Sequence, residues 1–297
     1  MSDPSELTLA RLAAFPLPPL PAETDKNERG RVLVVGGGAW GPGAPLLSAL
    51  AALRAGAGKV QIAAAQQNAA HLAIAIPEAA VVTAAATEDG EFKMEAAALL
   101  APLAARAHAV LVGPGMLDDQ IGARLALALA REGESALVLD AGALTALPLD
   151  QPFGPQSRSI VVTPHAGEMA ALLGREKGLI EADPLGAARE AAARLGAVVA
   201  MKGGTTFIVT PDGDALRHEG GAVGLATSGS GDVLAGVIAG LLARGASPLT
   251  AAAWGVCVHG AAGRRLSKSI APVGFFAREL LCEIPGLIAD PLSGGVD

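Results

Sequence analysis

The chain has little of what would send a protein outside the cell, into a bilayer or onto nucleic acid. It contains only two cysteines, Cys257 and Cys282, in 297 residues. They stand in apolar surroundings without metal-ligand spacing, which argues against a disulfide framework or a zinc site and predicts reduced core thiols. There is no run of Lys or Arg, and the net charge of -7 with a pI of ≈ 5.3 disfavours nucleic acid or an anionic membrane as the main partner. The apolar stretches are interrupted before they reach the roughly 18 residues of a membrane span. The opening Met-Ser-Asp-Pro-Ser-Glu lacks the basic and apolar parts of a secretory signal. A soluble cytoplasmic protein is therefore expected. Two local absences also matter. No Asp or Glu occurs between Gly41 and Pro77, and no G-x-x-x-x-G-K-[ST] phosphate loop is present.

What is present begins with a hydrophobic content of 51%, ample for a buried core. Short β-type runs alternate with Ala- and Leu-rich stretches, the pattern of an α/β fold with a mostly parallel sheet covered by helices. The expected strands are 31–35, 60–64, 80–83, 109–112, 136–139, 160–163 and 198–201. A further pair, 206–210 and 215–218, is joined by Pro211-Asp212-Gly213 and reads as a hairpin. Helices are expected over 44–55, 95–105, 121–131, 166–173, 185–195, 232–243 and 248–266. Residues 1–28, with four prolines between Pro16 and Pro21, read as a strapping arm, and residues 29–290 as one domain.

Gly36, Gly38 and Gly41 formally satisfy G-x-G-x-x-G between a strand and a helix. A hydride-transfer fold needs an acidic residue at the end of the second strand to hold a ribose, and the acid-free stretch after Gly41 does not supply one. The glycines then read as a backbone turned closely over a ligand. The most informative segment is 226–236, where Gly229-Ser230-Gly231 leads Asp232 into the first turn of an apolar helix. Amides at Gly229, Ser230 and Gly231 make an anion hole at a helix start. Asp232 is then a carboxylate placed to accept a hydroxyl proton, or it is simply a helix cap.

Three other segments leave strand ends at the edge where open α/β sheets bind ligands. Gly113-Pro114-Gly115 leaves one strand without bulk. Thr163-Pro164-His165-Ala166-Gly167-Glu168 puts His165 and Glu168 on one face of a first helical turn, either as site residues or as a helix-start pair. Lys202-Gly203-Gly204-Thr205-Thr206 offers a cation, amides and hydroxyls.

Together these segments, with Arg54-Ala55-Gly56-Ala57-Gly58-Lys59-Val60 and Gly229-Ser230-Gly231-Asp232-Val233-Leu234-Ala235-Gly236, resemble the ADP- or ATP-dependent NAD(P)H-hydrate dehydratases. That branch of the ribokinase-like superfamily is matched over nearly the whole chain, from Gly30 to about Glu283. The resemblance implies a ribokinase-like sheet with helices on both faces. It also implies repair of hydrated NADH or NADPH by phosphorylation of the added hydroxyl and loss of phosphate. Carried over by position, it puts Ala44, Gly115, His165 and Asp232 on the hydrated dinucleotide, with Asp232 as the base. Lys202, Gly203, Gly204, Thr205, Thr206 and Gly231 fall to ADP or ATP, and Glu168 to the outer shell of Mg²⁺. It further implies a homo-oligomer, a tetramer, and a separate epimerase, since only about 28 residues precede the first core strand. Two departures stand out: the family's second acidic residue in the stretch reading Asp140-Ala141-Gly142-Ala143-Leu144, and its Asn-Pro pair where this chain has Ala222-Val223. Two other readings remain open at this point, a vitamin-precursor kinase of the same superfamily and a catalytically silent nucleotide-binding sensor.

Overall fold

The computed structural model describes residues 3–19, 23, 25–150, 153 and 159–292. Among the described residues ten strands form one sheet: β1 (Ser5–Glu6), β2 (Arg31–Val35), β3 (Lys59–Ala65), β4 (Ala80–Ala84), β5 (Ala109–Val112), β6 (Ala136–Leu139), β7 (Ile160–Val162), β8 (Val198–Met201), β9 (Thr206–Val209) and β10 (Ala215–His218). Their spatial order is β1-β10-β9-β8-β7-β6-β5-β2-β3-β4. Only β9 runs against its neighbours, as the hairpin signal required; the other pairs are parallel. Gly213 closes that hairpin at φ +91°.

The helices are α1 (Gly43–Arg54), α2 (Gln66–Ala75), α3 (Ala96–Ala104), α4 (Asp119–Ala130), α5 (Ala166–Leu173), α6 (Lys177–Ala182), α7 (Pro184–Leu195), α8 (Ser230–Ala243), α9 (Pro248–Ser269) and α10 (Ala277–Ala289). Because strand side chains alternate, Val32 and Val34 enter the core beneath α1, α8, α9 and α10, while Leu33 and Val35 enter a second core beneath α3, α4 and α7. The sheet is thus buried on both faces.

The alanine content has a packing reason. Helix α8 is buried at every position from Val233 to Ala243, and it lies directly on α1. A Cβ at Gly236 would fall 2.2 Å from the Ser48 carbonyl oxygen, and one at Gly240 2.6 Å from that of Ala52. Larger residues would force the two backbones apart and leave voids under the site that α8 carries.

Three helices, α2, α6 and α10, and the strand β1 were not anticipated. Helices α2 and α6 lack the strong apolar periodicity that would announce them, and β1 is two residues long. The N-terminal arm does more than strap the surface: β1 pairs with β10 and extends the sheet. Leu7, Leu9 and Leu12 are buried, and Trp254 Nε1 donates to the Phe15 carbonyl at 2.7 Å. Pro21, one of the arm's four prolines, lies outside the described residues. Of the two thiols, Cys257 is buried but Cys282 is exposed on α10, contrary to its expected place in the core.

Candidate active site

The carboxyl ends of five adjacent parallel strands, β8, β7, β6, β5 and β2, carry the segments singled out in the sequence. Along that edge they contribute, in order, Lys202 to Gly204, Thr163 to His165, Asp140, Gly113 to Gly115, and Gly36 to Gly41. The N-terminus of α8 stands over the middle of this row.

The start of α8 is open. Its hydrogen-bond ladder begins with Val233 N–H donating to Gly229 C=O at 3.1 Å, and the Ser230 amide makes a longer bond to Thr227 C=O at 3.3 Å. Among the described residues the amides of Gly229, Gly231 and Asp232 have no acceptor, so the unspent donors of the helix point out of its end. Gly229 has φ +88°, and a Cβ there would strike Leu47 Cδ1 at 2.6 Å, so only glycine makes this turn. The amides of Gly229, Gly231 and Asp232 thus stand together without an acceptor at this helix start, and Ser230 N–H is the one already engaged.

Asp232, at the third position of α8, is half-buried. Its carboxyl pKa is pushed up to about 7, first by burial and then by repulsion from Asp140 and Glu168, against the attraction of Lys202. Asp140 is 2% exposed; its Oδ1 accepts from Thr163 Oγ1 at 2.7 Å and lies 2.8 Å from Lys202 Nζ. Glu168 Oε2 is 3.7 Å from the same ammonium. Burial works against the Lys202 charge, but Asp140, Glu168 and Asp232 together hold its pKa above the usual lysine value. Lys202 was expected to face a phosphate rather than a structural carboxylate. In the structure it bridges two carboxylates, and its side chain also borders the cavity described below. Asp140 is the one acidic residue that the stretch brings to the site, and the departure at Gly142 stands. Gly142 cannot carry one, since a Cβ there would lie 2.4 Å from the Met116 carbonyl oxygen.

His165 is a helix cap. Its Nδ1 accepts from the amides of Gly167 at 3.0 Å and Glu168 at 3.2 Å, while Glu168 Oε2 accepts the His165 amide at 2.8 Å. Glu168 is thereby committed to the cap and to Lys202. A short parallel bridge between His165 and Lys202 zips the two loops together.

A cavity of about 760 Å³ opens beside the helix start, walled by Lys202, Gly203, Gly204, Thr206, Ser230 and Gly231 among others. Its mouth includes Ala222 and Val223, where the family's Asn-Pro pair is missing. Two expectations change here. Thr205 is not in the wall, and its hydroxyl donates to Glu219 Oε1 at 3.4 Å. His165 is in the wall, so it sits with the segments expected to hold nucleotide and apart from Ala44 and Gly115. Those two pack together on the α1 side: a Cβ on Gly115 would come 2.1 Å from the Gly41 carbonyl oxygen and 3.1 Å from Ala44 Cβ. The glycine-rich loop is thus pressed against another loop, with Gly37 N–H donating to Pro114 C=O at 2.8 Å and Gly38 N–H to Gly115 C=O at 2.9 Å. Its glycines serve that backbone contact directly.

Ser230, Gly231 and Leu234 of α8 line the cavity, and Asp232 between them does not. Ser48 Oγ, from α1, donates to the Asp232 carbonyl at 3.0 Å. The backbone of Asp232 is thereby tied to the α1 flank.

Two residues at this site escaped the sequence reading as participants. Asp140 follows the fully buried strand β6, and an acidic residue at that edge was the available signal. His259, whose Nε2 lies 2.9 Å from Ser230 Oγ, stands within the apolar stretch 251–263 of α9, and nothing local in the sequence marks it.

A parallel sheet covered on both faces, with a glycine-opened helix start and an aspartate above its carboxyl edge, is the layout of a ribokinase-like phosphoryl-transfer protein. A ribokinase from Thermotoga maritima shares the fold at TM-score 0.54 with 12% identity, covering 88% of this chain and 100% of that one. The family model for NAD(P)H-hydrate dehydratase matches residues 32–286, and the chain belongs to that family. An ADP-dependent (S)-NAD(P)H-hydrate dehydratase of Xanthomonas campestris pv. campestris is 47% identical over 285 residues, 95% of each protein. A bifunctional NAD(P)H-hydrate repair enzyme of Moorella thermoacetica is 38% identical over 91% of this chain but 51% of its own length. The Bacillus subtilis ADP/ATP-dependent NAD(P)H-hydrate dehydratase, co-crystallised with ATP and Mg²⁺, superimposes at TM-score 0.83 with 27% identity, covering 97% of this chain and 99% of that one.

Proposed function

We propose that this chain restores hydrated NADH or NADPH to the intact cofactor, using ADP or ATP to phosphorylate the hydroxyl added to the ring. The observation that carries the reading is the helix start. Among the described residues, three amides without an acceptor and a carboxylate with a pKa of about 7 stand beside a nucleotide-sized cavity.

The chemistry follows from these groups. Hydroxide is a poor leaving group from the ring, and phosphate a good one. The ring oxygen attacks the terminal phosphorus, the bond from phosphorus to the nucleotide breaks, and the hydroxyl proton passes to Asp232. A base with pKa near 7 is matched to proton transfer at neutral pH. The amides of Gly229, Gly231 and Asp232 face the charge that spreads over the transferred oxygens, and Lys202 balances part of the local negative charge. Phosphate then departs with the electrons of its bond to carbon, the ring nitrogen supplies electron density, and loss of a proton from the neighbouring carbon restores the double bond.

The nucleotide falls to the cavity, with Lys202, Gly203, Gly204, Thr206 and Gly231; Thr205 supports that wall through Glu219. The dinucleotide falls to the α1 flank, with Ala44, Gly115 and Asp232, and His165 shapes the loop between the two. Among the described residues no three His, Cys, Asp or Glu side chains converge as metal ligands. Three carboxylates, Asp140, Glu168 and Asp232, face one ammonium, however, and that uncompensated charge fits a Mg²⁺ carried on the phosphates and met through water by Glu168 or Asp140. The ion would supply charge neutralisation. Among the described residues no helix is long and apolar enough to cross a membrane. A cytoplasmic setting, tetrameric assembly and a separate epimerase belong to the same proposal.

The test is incubation with nucleotide and hydrated NADH or NADPH. Return of reduced-cofactor absorbance with one phosphate per turnover is expected. A lasting phosphoester would make the protein a small-molecule kinase, and tight nucleotide binding without phosphate release would make it a sensor.

A further inference from the structure

His259 projects from α9 toward the first residue of α8. Its Nε2 lies 3.0 Å from the Ser230 carbonyl oxygen and 2.9 Å from Ser230 Oγ. A carbonyl oxygen only accepts, so the proton on this ring sits on Nε2. Both oxygens then share that one N–H, and Ser230 Oγ is an acceptor from His259. A hydroxyl that accepts here retains its own proton to donate elsewhere. Among the described residues Ser230 Oγ has no second partner, and both residues line the cavity.

We propose that His259 is a positioning residue: its Nε2–H clamps the first residue of α8 by carbonyl and hydroxyl, and so aims the Ser230 O–H into the cavity as a donor to a nucleotide phosphate. This rests on the cavity being the nucleotide site. The arrangement is the reverse of a serine–histidine nucleophile pair, in which the ring would take the hydroxyl proton. Burial, with the Lys202 ammonium nearby, pushes the His259 pKa down to about 4, against the bond to the Ser230 carbonyl, so the ring is neutral and carries one proton at physiological pH.

The experiment compares wild type, Ser230→Ala, His259→Leu, the double variant and His259→Gln. Glutamine keeps an N–H donor, and leucine keeps bulk without one. ADP affinity is measured by calorimetry, and kcat and nucleotide KM in the restoration assay, on proteins whose thermal unfolding shows them folded. We expect Ser230→Ala and His259→Leu each to weaken ADP binding about tenfold, as losing one hydrogen bond to a charged group does, and to lower kcat more than they raise KM. The double variant should be no worse than either single one, because His259 acts through Ser230. His259→Gln should recover most of the loss. Multiplying effects, or a folded His259→Gln as impaired as Ser230→Ala, overturn the proposal. If His259→Leu does not fold, the Ser230→Ala and His259→Gln pair decides by the same criterion. Because calorimetry needs no turnover, coupling seen in ADP binding without restoration of the cofactor would support the clamp and defeat the dehydratase reading. Restoration with multiplying effects would do the opposite.

Discussion

Replacing Asp232 with Asn changes one oxygen for one nitrogen, removes the proposed base and removes a charge that the fold holds at a cost. The carboxyl ordinarily titrates near 3.8 and is pushed to about 7 here, by burial and by its acidic neighbours Asp140 and Glu168. Each tenfold change in proton affinity is worth about 1.4 kcal/mol, so the gap corresponds to about 4 kcal/mol, and to about 2–4 kcal/mol after discounting for the side chain's partial exposure. The sign is set by linkage. Below the unfolded value, near 3.8, the group is protonated in both states and the substitution should be nearly neutral. Between there and about pH 7 the wild-type chain loses stability relative to Asp232→Asn, and above 7 the full difference is present. Denaturant unfolding of both proteins without nucleotide, from pH 4 to pH 8.5, measures this directly. The variant's advantage should grow with pH and level off, while turnover falls by at least about 10²-fold and ADP still binds. A stability difference independent of pH, or a wild type more stable at pH 8.5, would refute the crowded, desolvated carboxylate on which the assignment of the base depends.

Lys202→Met leaves buried Asp140 without its ammonium and should cost about 3–5 kcal/mol in denaturant unfolding, a loss partly reversed by adding Asp140→Asn. Gly231→Ala places a methyl 3.3 Å from Lys202 Nζ on the cavity wall; the fold should survive within about 1 kcal/mol while nucleotide KM rises at least about tenfold, read from initial rates. Gly41→Ala drives a Cβ to 2.7 Å from Gly115 Cα. It should lower stability by about 1–3 kcal/mol and raise KM for the hydrated dinucleotide, with ADP affinity by calorimetry unchanged.

A strand buried on both faces reads as an unbroken apolar run, and for that reason β2, β5, β6 and β8 were legible to the residue. The short β1 and the weakly periodic α2 and α6 carry no such signal. The turn into α8 was legible because glycine is nearly obligatory at a left-handed position such as Gly229. Direction was not legible. His165 has the chemistry of a ligand but spends Nδ1 on its own helix, and Thr205 turns to Glu219, because side-chain orientation depends on contacts distant in the chain. The glycine-rich loop after β2 misled for a related reason: glycine permits close approach, and the chain alone does not say whether a ligand or another loop approaches.

By itself the sequence determined the alternating α/β layout, the glycine-rich and polar strand ends that meet along one edge, and the turn that leads Asp232 into a helix, all of which rest on local periodicity and backbone freedom. Only the tertiary structure decided that Asp140, Glu168, Lys202 and Asp232 share one electrostatic site and that His259 reaches Ser230. Those residues lie on separate loops and helices, and the charge on Asp232 is set by burial and by groups far from it along the chain.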